Sequence, residues 1–248
     1  MRTQIIYESR GRAREYCELA ANLYSGCEHN CIYCYAPLAL RKTRNSFKIA
    51  TVRNDIINKF EKDAKILHEK RERRAILLSF TTDPYQPIDI EKELTRQAIK
   101  ILHKNELKVS VLTKGGKRAE RDFDLLSNNP ELSEFGSTLV FLDEKDRIQI
   151  EPGAAPTDER IKSLIKAHRM NIFTYVSLEP VWYPYDTLAL IDKTHEFVDF
   201  YKVGKLNYHH QNKEVNWEKF KQDVIEKLES YGKSYYIKKD LMTAITSI

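Results

Sequence analysis

The sequence predicts an α/β fold in which six β/α units form a partial (β/α)6 barrel of the TIM type. Two observations carry that prediction. Runs of β-branched and apolar residues alternate with longer amphipathic stretches, the pattern of parallel strands joined by crossover helices. Each predicted strand is also followed by polar, Gly- or Pro-containing segments, and parallel β/α folds build their sites at those strand ends. With 248 residues, no low-complexity linker and no internal repeat, residues 1–248 are expected to form one domain. Its core would span about residues 15–232, between a short basic N-terminal segment and a C-terminal extension.

Taken in order, residues 17–24 read as the first strand, running directly into a cysteine-rich loop. Residues 54–73 place Ile56, Ile57, Phe60, Ala64 and Leu67 at helical spacing. Residues 75–80 form the second strand, and residues 91–104 a helix with Leu94, Ala98, Ile101 and Leu102 on one face. A third strand covers 108–113, followed by a helix around 117–127. The fourth strand is placed at 137–142, with a helix over 158–169 capped by Thr157. Residues 172–178 are the fifth strand, 185–196 a helix, 197–203 the sixth strand and 216–231 a final long helix.

The chemistry concentrates in Gly26-Cys27-Glu28-His29-Asn30-Cys31-Ile32-Tyr33-Cys34-Tyr35-Ala36, where three of the four cysteines are spaced C-x₃-C-x₂-C. The N-terminus has no secretory h-region, and no apolar run approaches the ~18 residues of a membrane span. The expected location is therefore cytoplasmic, where clustered cysteines read as metal or redox ligands rather than disulfides. Three thiolates do not complete a tetrahedral zinc shell, but they can hold three irons of a [4Fe–4S] cube and leave the fourth open. The zinc alternative needs a further ligand, for which His29 and Cys17 are the candidates. His209 and His210 lie far downstream.

At these residues the chain resembles the radical SAM superfamily, with Tyr33 in the aromatic position of the C-x₃-C-x-aromatic-C motif. The resemblance implies a [4Fe–4S] cluster on Cys27, Cys31 and Cys34, and S-adenosylmethionine (SAM) on the open iron with Tyr33 near its adenine. It also implies reductive cleavage of SAM to a 5′-deoxyadenosyl radical that abstracts hydrogen from a substrate. A one-electron reductant of the flavodoxin or ferredoxin type follows as a partner.

The other strand ends are read in the same frame. Thr81, Thr82 and Asp83 follow the second strand, where the superfamily places polar groups for the ammonium of the methionine moiety. The alternative is that Asp83-Pro84 makes a turn. Lys114 follows the third strand and can meet a ligand carboxylate, an anionic substrate or only solvent. Glu151 can accept from a ribose hydroxyl or pair with Arg160. After the sixth strand, Gly204 suits close approach of an adenine, and Asn207 can read a base edge or ribose.

Residues 22–36, Thr82-Asp83-Pro84-Tyr85-Gln86-Pro87, Thr113-Lys114 and Glu151-Pro152-Gly153 resemble the spore photoproduct lyase-like (DNA repair photolyase-like) branch over roughly residues 10–207. In that branch a tyrosine after the last cluster cysteine is implicated in radical transfer, and Tyr35 stands there as the candidate catalytic residue. The lyase also uses a cysteine downstream of the cluster, and this chain has none after Cys34. Cys17, upstream, is expected as a buried strand residue. The net charge is +5, with basic clusters at Arg10-Gly11-Arg12-Ala13-Arg14, at Arg41, Lys42, Arg44 and Lys48, and over residues 70–74. Such a segment can track phosphates, and Trp182, Tyr183 and Tyr185 can stack on bases. DNA or RNA is therefore a candidate substrate. A reading from another class is a non-catalytic, metal-stabilised nucleic-acid-binding protein.

Overall fold

In the computed structural model, which describes residues 4–78, 80–207 and 215–244, the predicted alternation becomes a mixed α/β fold around a mainly parallel sheet. His209, His210 and Ser79 lie outside the described residues. The strands are β1 (Tyr7–Glu8), β2 (Leu19–Ala21), β3 (Tyr24–Ser25), β4 (Thr51–Val52) and β5 (Ile76–Leu78). They continue as β6 (Val109–Thr113), β7 (Ser133–Thr138), β8 (Phe173–Val181), β9 (Phe200–Lys205) and β10 (Ser234–Ile237). The main sheet runs β1-β2-β5-β6-β7-β8-β9-β10, and every neighbouring pair is parallel except β1 with β2. The six predicted strands are β2, β5, β6, β7, β8 and β9. The sheet stays open: among the described residues β1 and β10 are edges and do not pair.

Strand periodicity divides the two faces. Val109, Val111, Phe135, Val176, Leu178, Tyr201 and Val203 belong to the buried core beneath the helices. Alternate residues point the other way. On that inner face the Ser110 hydroxyl meets the Tyr175 phenol at 3.1 Å, and Tyr175 donates to the Val111 carbonyl at 2.9 Å. A parallel strand buried on both faces is usually apolar throughout. Here the inner face carries Ser110, Thr138, Tyr175, Ser177 and Lys202, and its ends open onto the cavity described below.

Several boundaries differ from the expected ones. The first strand is short, and Tyr24–Ser25 leave the main sheet to pair antiparallel with Thr51–Val52. Cys17 precedes β2, is half-buried and donates its thiol to the Ala75 carbonyl at 3.0 Å. The fourth strand lies earlier, at Ser133–Thr138. Its polar inner face hides the strand signal, whereas the apolar Leu139, Val140 and Phe141 fill the core from a loop. An unexpected helix, Glu144–Ile150, then delivers Glu151. Thr157 is the first residue of its helix rather than the cap, and its hydroxyl donates to the Phe141 carbonyl at 2.8 Å. The helix expected over 91–104 is two helices, Ile88–Lys92 and Leu94–Lys104, broken at left-handed Glu93. Buried Asp89 explains the break: its carboxylate accepts from the Thr95 amide at 3.1 Å and from Arg121 and the Tyr24 phenol.

The open side of the sheet is bridged by the N-terminal segment. A 3-10 helix over Gly11–Glu15 precedes β2 yet reaches the last strands through side chains. Glu15 accepts from the Lys239 amide at 2.9 Å and the Tyr236 phenol at 3.2 Å, Lys202 donates to the Tyr16 carbonyl at 2.6 Å, and Arg12 pairs with Asp240 at 3.6 Å.

Candidate active site

At the C-terminal ends of the strands a cavity of about 480 Å³ is lined on one side by Cys27, Cys31, Cys34, Tyr33 and His29. The cysteine loop departs after β3, and Gly26 is what lets it leave. Gly26 adopts φ +87°, and a Cβ there would lie 2.2 Å from the Ile49 carbonyl oxygen. The loop is then held on every side. The Cys27 amide donates to the Phe47 carbonyl at 2.8 Å, the Ile32 amide to the Ile150 carbonyl at 2.9 Å, and the Cys34 amide closes a turn onto Cys31 at 3.1 Å. Gln86 accepts from the Glu28 amide at 2.9 Å and donates to the Gly26 carbonyl at 3.3 Å. Arg44 donates to the carbonyls of Cys31 at 3.1 Å and Cys34 at 3.4 Å, and to that of Ile32. Gly153 packs its bare Cα against the loop, donating to the His29 carbonyl at 3.0 Å; a Cβ there would sit 2.2 Å from the Glu28 carbonyl oxygen.

All three cysteines are free thiols on the lining of one cavity, a soft donor set matched to iron–sulfur ligation. Burial pushes the Cys31 thiol up to about 12 and raises Cys27 and Cys34 as well. Thiolates therefore form here when a bound cation compensates them, with release of protons. The zinc reading needs a fourth ligand the site does not offer. His29 contacts Asp83 at 3.3 Å through Nδ1 and Arg118 at 3.1 Å through Nε2, and Cys17 is not part of the cavity lining. Among the described residues no three His, Cys, Asp or Glu side chains gather around a single-ion position.

Thr81, Thr82, Asp83, Lys114 and Asn207 all line the same cavity. Asp83 is the organiser of that wall. Its carboxylate accepts from the Thr113 hydroxyl at 2.6 Å, the Lys114 amide at 2.7 Å and the Tyr85 amide at 2.8 Å, besides facing His29. Burial would raise its pKa, but His29 and these donors outweigh that and hold it well below the usual carboxylate range. The Thr81 amide donates to Asn22 Oδ1 at 3.0 Å. Asn207 donates to Asp240 at 2.7 Å and to the Lys205 carbonyl at 3.1 Å.

Glu151 does not face the cavity. Fully buried, it takes a 2.7 Å hydrogen bond from Arg160 and another from the Tyr33 phenol, and Lys114 Nζ lies 3.9 Å away. Of the two partners expected for it, Arg160 is the one it meets, and its other oxygen is engaged by the Tyr33 phenol. Burial alone would raise its pKa, yet Arg160 and Lys114 hold it lowered. Lys114 Nζ sits 5.6 Å from the centroid of the Tyr33 ring. Tyr35 is half-exposed at the rim, its phenol 3.4 Å from the Phe80 carbonyl.

The opposite wall went unnoticed in the sequence. It comprises Tyr16, Ser177, Glu179 and Lys238, with Arg10 and Arg12 beside it. The Tyr16 phenol meets the Ser177 hydroxyl, and Lys238 donates to Glu179 at 2.8 Å. Ser177 and Glu179 share the inner face of β8, two residues apart, which a period-2 reading of that strand would have exposed. Lys238 follows β10, a strand the sequence reading left out. The aromatic residues proposed to stack on bases separate: Trp182 is buried against Phe141 and Tyr33, while Tyr185 is exposed but absent from the cavity lining. Of the basic residues, Arg74 is committed to Glu8, Glu18 and Glu72, and Arg14 to Glu18.

The family model of the radical SAM superfamily matches residues 21–198. An uncharacterised protein of Methanocaldococcus jannaschii is 29% identical over 187 residues, covering 75% of this chain and 69% of its own. A radical SAM Nα-GlyT isomerase of Pseudomonas phage M6 is 25% identical over 192 residues, covering 73% of this chain but 39% of its own. Among solved structures, a spore photoproduct lyase variant with bound AdoMet and dinucleoside spore photoproduct superposes with a TM-score of 0.72 at 14% identity, over 93% of this chain and 78% of that one. Streptococcus suis SuiB bound to S-adenosylmethionine gives a TM-score of 0.65 at 12% identity, over 88% of this chain and 49% of that one. At these identities the structural likeness speaks for the fold. No helix among the described residues is long and apolar enough to cross a membrane.

Proposed function

The chain belongs to the radical SAM superfamily, and on that premise we infer that it holds a [4Fe–4S] cluster on Cys27, Cys31 and Cys34 and binds SAM in the adjoining cavity. The observation that carries the reading is the shared lining: three free cysteines and polar residues from the ends of β5 through β10 bound one cavity. The cluster and SAM together supply the one-electron chemistry that opens an unactivated C–H bond.

The residues of the chain bind, orient and shield. Asp83 fixes the loop that presents Thr81 and Thr82, and its charge favours an ammonium beside them. Lys114 offers the compensating positive charge for a carboxylate, close to the face of Tyr33. Tyr33, pinned from behind by Glu151, gives an aromatic edge for adenine. Asn207, on the β9 side, spends both amide N–H groups on Asp240 and the Lys205 carbonyl, so its Oδ1 is a candidate acceptor for a nucleoside hydroxyl or amino group.

In this reading the substrate lies against Tyr16, Ser177, Glu179 and Lys238, where Arg10 beside them favours an anionic group. A nucleic acid has that charge, and the structural likeness to a lyase bound to a dinucleoside photoproduct makes a lyase-like reaction on DNA or RNA the leading candidate. No cysteine follows Cys34, so a lesion-reversing lyase of the same design would need another hydrogen donor here. Tyr35, at the rim, is the candidate relay.

Anaerobic reconstitution with iron and sulfide, followed by dithionite and SAM, tests the reading through 5′-deoxyadenosine. The parent should form it, Cys31→Ala should not, and Tyr35→Phe should form it while losing turnover of a true substrate. A protein that takes up zinc but assembles no cluster, or one that carries a verified cluster and gives no deoxyadenosine, would refute the assignment.

A further inference from the structure

Beyond the cysteine turn the chain forms a strap over the outside of the site. Every residue from Leu38 through Ser46 is exposed, although short helices run over Ala36–Ala39 and Arg44–Phe47. The strap is buried only at its ends, at Ala36 and Pro37 and at Phe47, whose carbonyl accepts from the Cys27 amide at 2.8 Å. From Tyr35 to Arg53 the sequence has five cations, Arg41, Lys42, Arg44, Lys48 and Arg53, and no carboxylate. Between them stand aliphatic side chains left in water: Leu38 is 84% exposed, Ile49 63% and Leu40 45%. Apolar groups rimmed by charge of one sign mark an interaction surface.

Part of this charge has local work. Lys42 donates to Ser25 at 2.9 Å, Arg53 to the Asn22 carbonyl at 3.0 Å, and Arg44 to the carbonyls of the cysteine turn. Arg41 and Lys48 are exposed and serve no such purpose. Arg44, itself exposed, touches the backbone of both Cys31 and Cys34, so the strap is a single layer over the cysteines.

We propose that this strap is the docking surface for an acidic one-electron donor protein of the flavodoxin class. Carboxylates of the donor face Arg41 and Lys48, and its apolar rim covers Leu38 and Ile49. The proposal rests on the reading that the three cysteines hold a reducible cluster. In the transfer, one electron leaves the donor, which is oxidised by one equivalent, and enters the cluster; no bond or proton changes hands. Electron transfer weakens steeply with distance, so a donor gains from the thinnest cover over the cysteines. A protein partner is favoured over nucleic acid because the exposed apolar groups are mainly aliphatic, whereas single-strand binding relies on aromatic faces.

The test uses the reconstituted enzyme with reduced flavodoxin or dithionite, comparing the parent with Arg41→Glu/Lys48→Glu and with Leu38→Asp. With dithionite, deoxyadenosine formation stays within about twofold of the parent, since neither variant touches the cavity. With flavodoxin, its KM rises by about tenfold or more, and the parent's salt dependence is flattened in the charge-reversed variant. Binding of fluorescently labelled flavodoxin to the enzyme, read without turnover, weakens in parallel. Unchanged KM and Kd would overturn the proposal, as would loss of affinity for a single-stranded DNA oligonucleotide with donor dependence intact. A parent inactive even with dithionite would count against the cluster reading, while the binding measurement would still decide the docking surface.

Discussion

Replacing Glu151 with Gln isolates the most concentrated electrostatic feature of the molecule. Glu151 and Arg160 are both completely buried, joined by a 2.7 Å hydrogen bond, and Lys114 Nζ lies 3.9 Å from the other carboxylate oxygen. Gln keeps the volume and an acceptor for the Tyr33 phenol, so the change removes charge while leaving packing almost intact. It strands the Arg160 guanidinium, whose other donors reach only the Ala155 and Thr138 carbonyls at 2.7 and 2.9 Å. Leaving one partner of a buried pair uncompensated costs about 3–5 kcal/mol. At about 2–4 °C per kcal/mol for a chain of this size, Tm falls by roughly 6–20 °C. The assay is thermal unfolding of the apo-protein at neutral pH, followed by circular dichroism. Combined with Arg160→Met, the loss should be smaller than the sum of the single losses by at least about 1 kcal/mol, because the stranded charge is gone. A fall of under about 2 °C for Glu151→Gln, or strict additivity in the double variant, would refute the reasoning.

Gly153→Ala places a Cβ 2.2 Å from the Glu28 carbonyl oxygen and 2.8 Å from the His29 Cα, backbone atoms that no rotamer change can move aside. The cysteine loop must shift, costing about 1–3 kcal/mol and lowering the iron and sulfide retained after reconstitution; parent-like loading would contradict the described contact. On the surface, hydrogen bonds from Arg74 are the leading cause that holds Glu72 down to about 2. A depressed carboxyl stabilises the fold above its unfolded value near pH 4.3 and loses that contribution as pH falls towards about 2. Glu72→Gln should therefore cost about 1 kcal/mol near pH 6, with the gap to the parent closing on acidification; a gap that widens instead would reverse the sign of the argument.

How much of this was legible in the sequence follows from what each element is made of. The strands β5, β6, β8 and β9 were found because their core-facing residues are branched and apolar, and the cysteine loop because ligand spacing is written in consecutive residues. The register of β7 was missed because Gly136 and Thr138 face the inner side and Ser137 the core, so the strand carries little apolar pattern and no local signal separates it from a turn. Asp83 was found as a cavity residue, but three of its four partners, His29, Thr113 and Lys114, lie thirty or more positions away, which no local motif encodes. Glu151 shows the limit from the other side. Both of its expected partners were chemically sound, and only the packing of Tyr33 against it decides between them. The wall of Tyr16, Ser177, Glu179 and Lys238 draws on three separate stretches of chain, and nothing short of the folded sheet brings them together.

The N-terminal segment that spans the open side of the sheet works as a clasp. A closed barrel is held shut by a backbone ladder, which resists widening along its whole length. Here the join between first and last strands is made by a handful of side-chain bonds from Arg12, Glu15, Tyr16 and Lys202. Such contacts can be released singly, and exposed ones at little cost. The perimeter of the sheet is thus a backbone ladder everywhere except on one flank, where Arg10 and Arg12 stand. The seam therefore rests on separate bonds to Asp240, Lys239, Tyr236 and Lys202, none of which belongs to the cysteine loop.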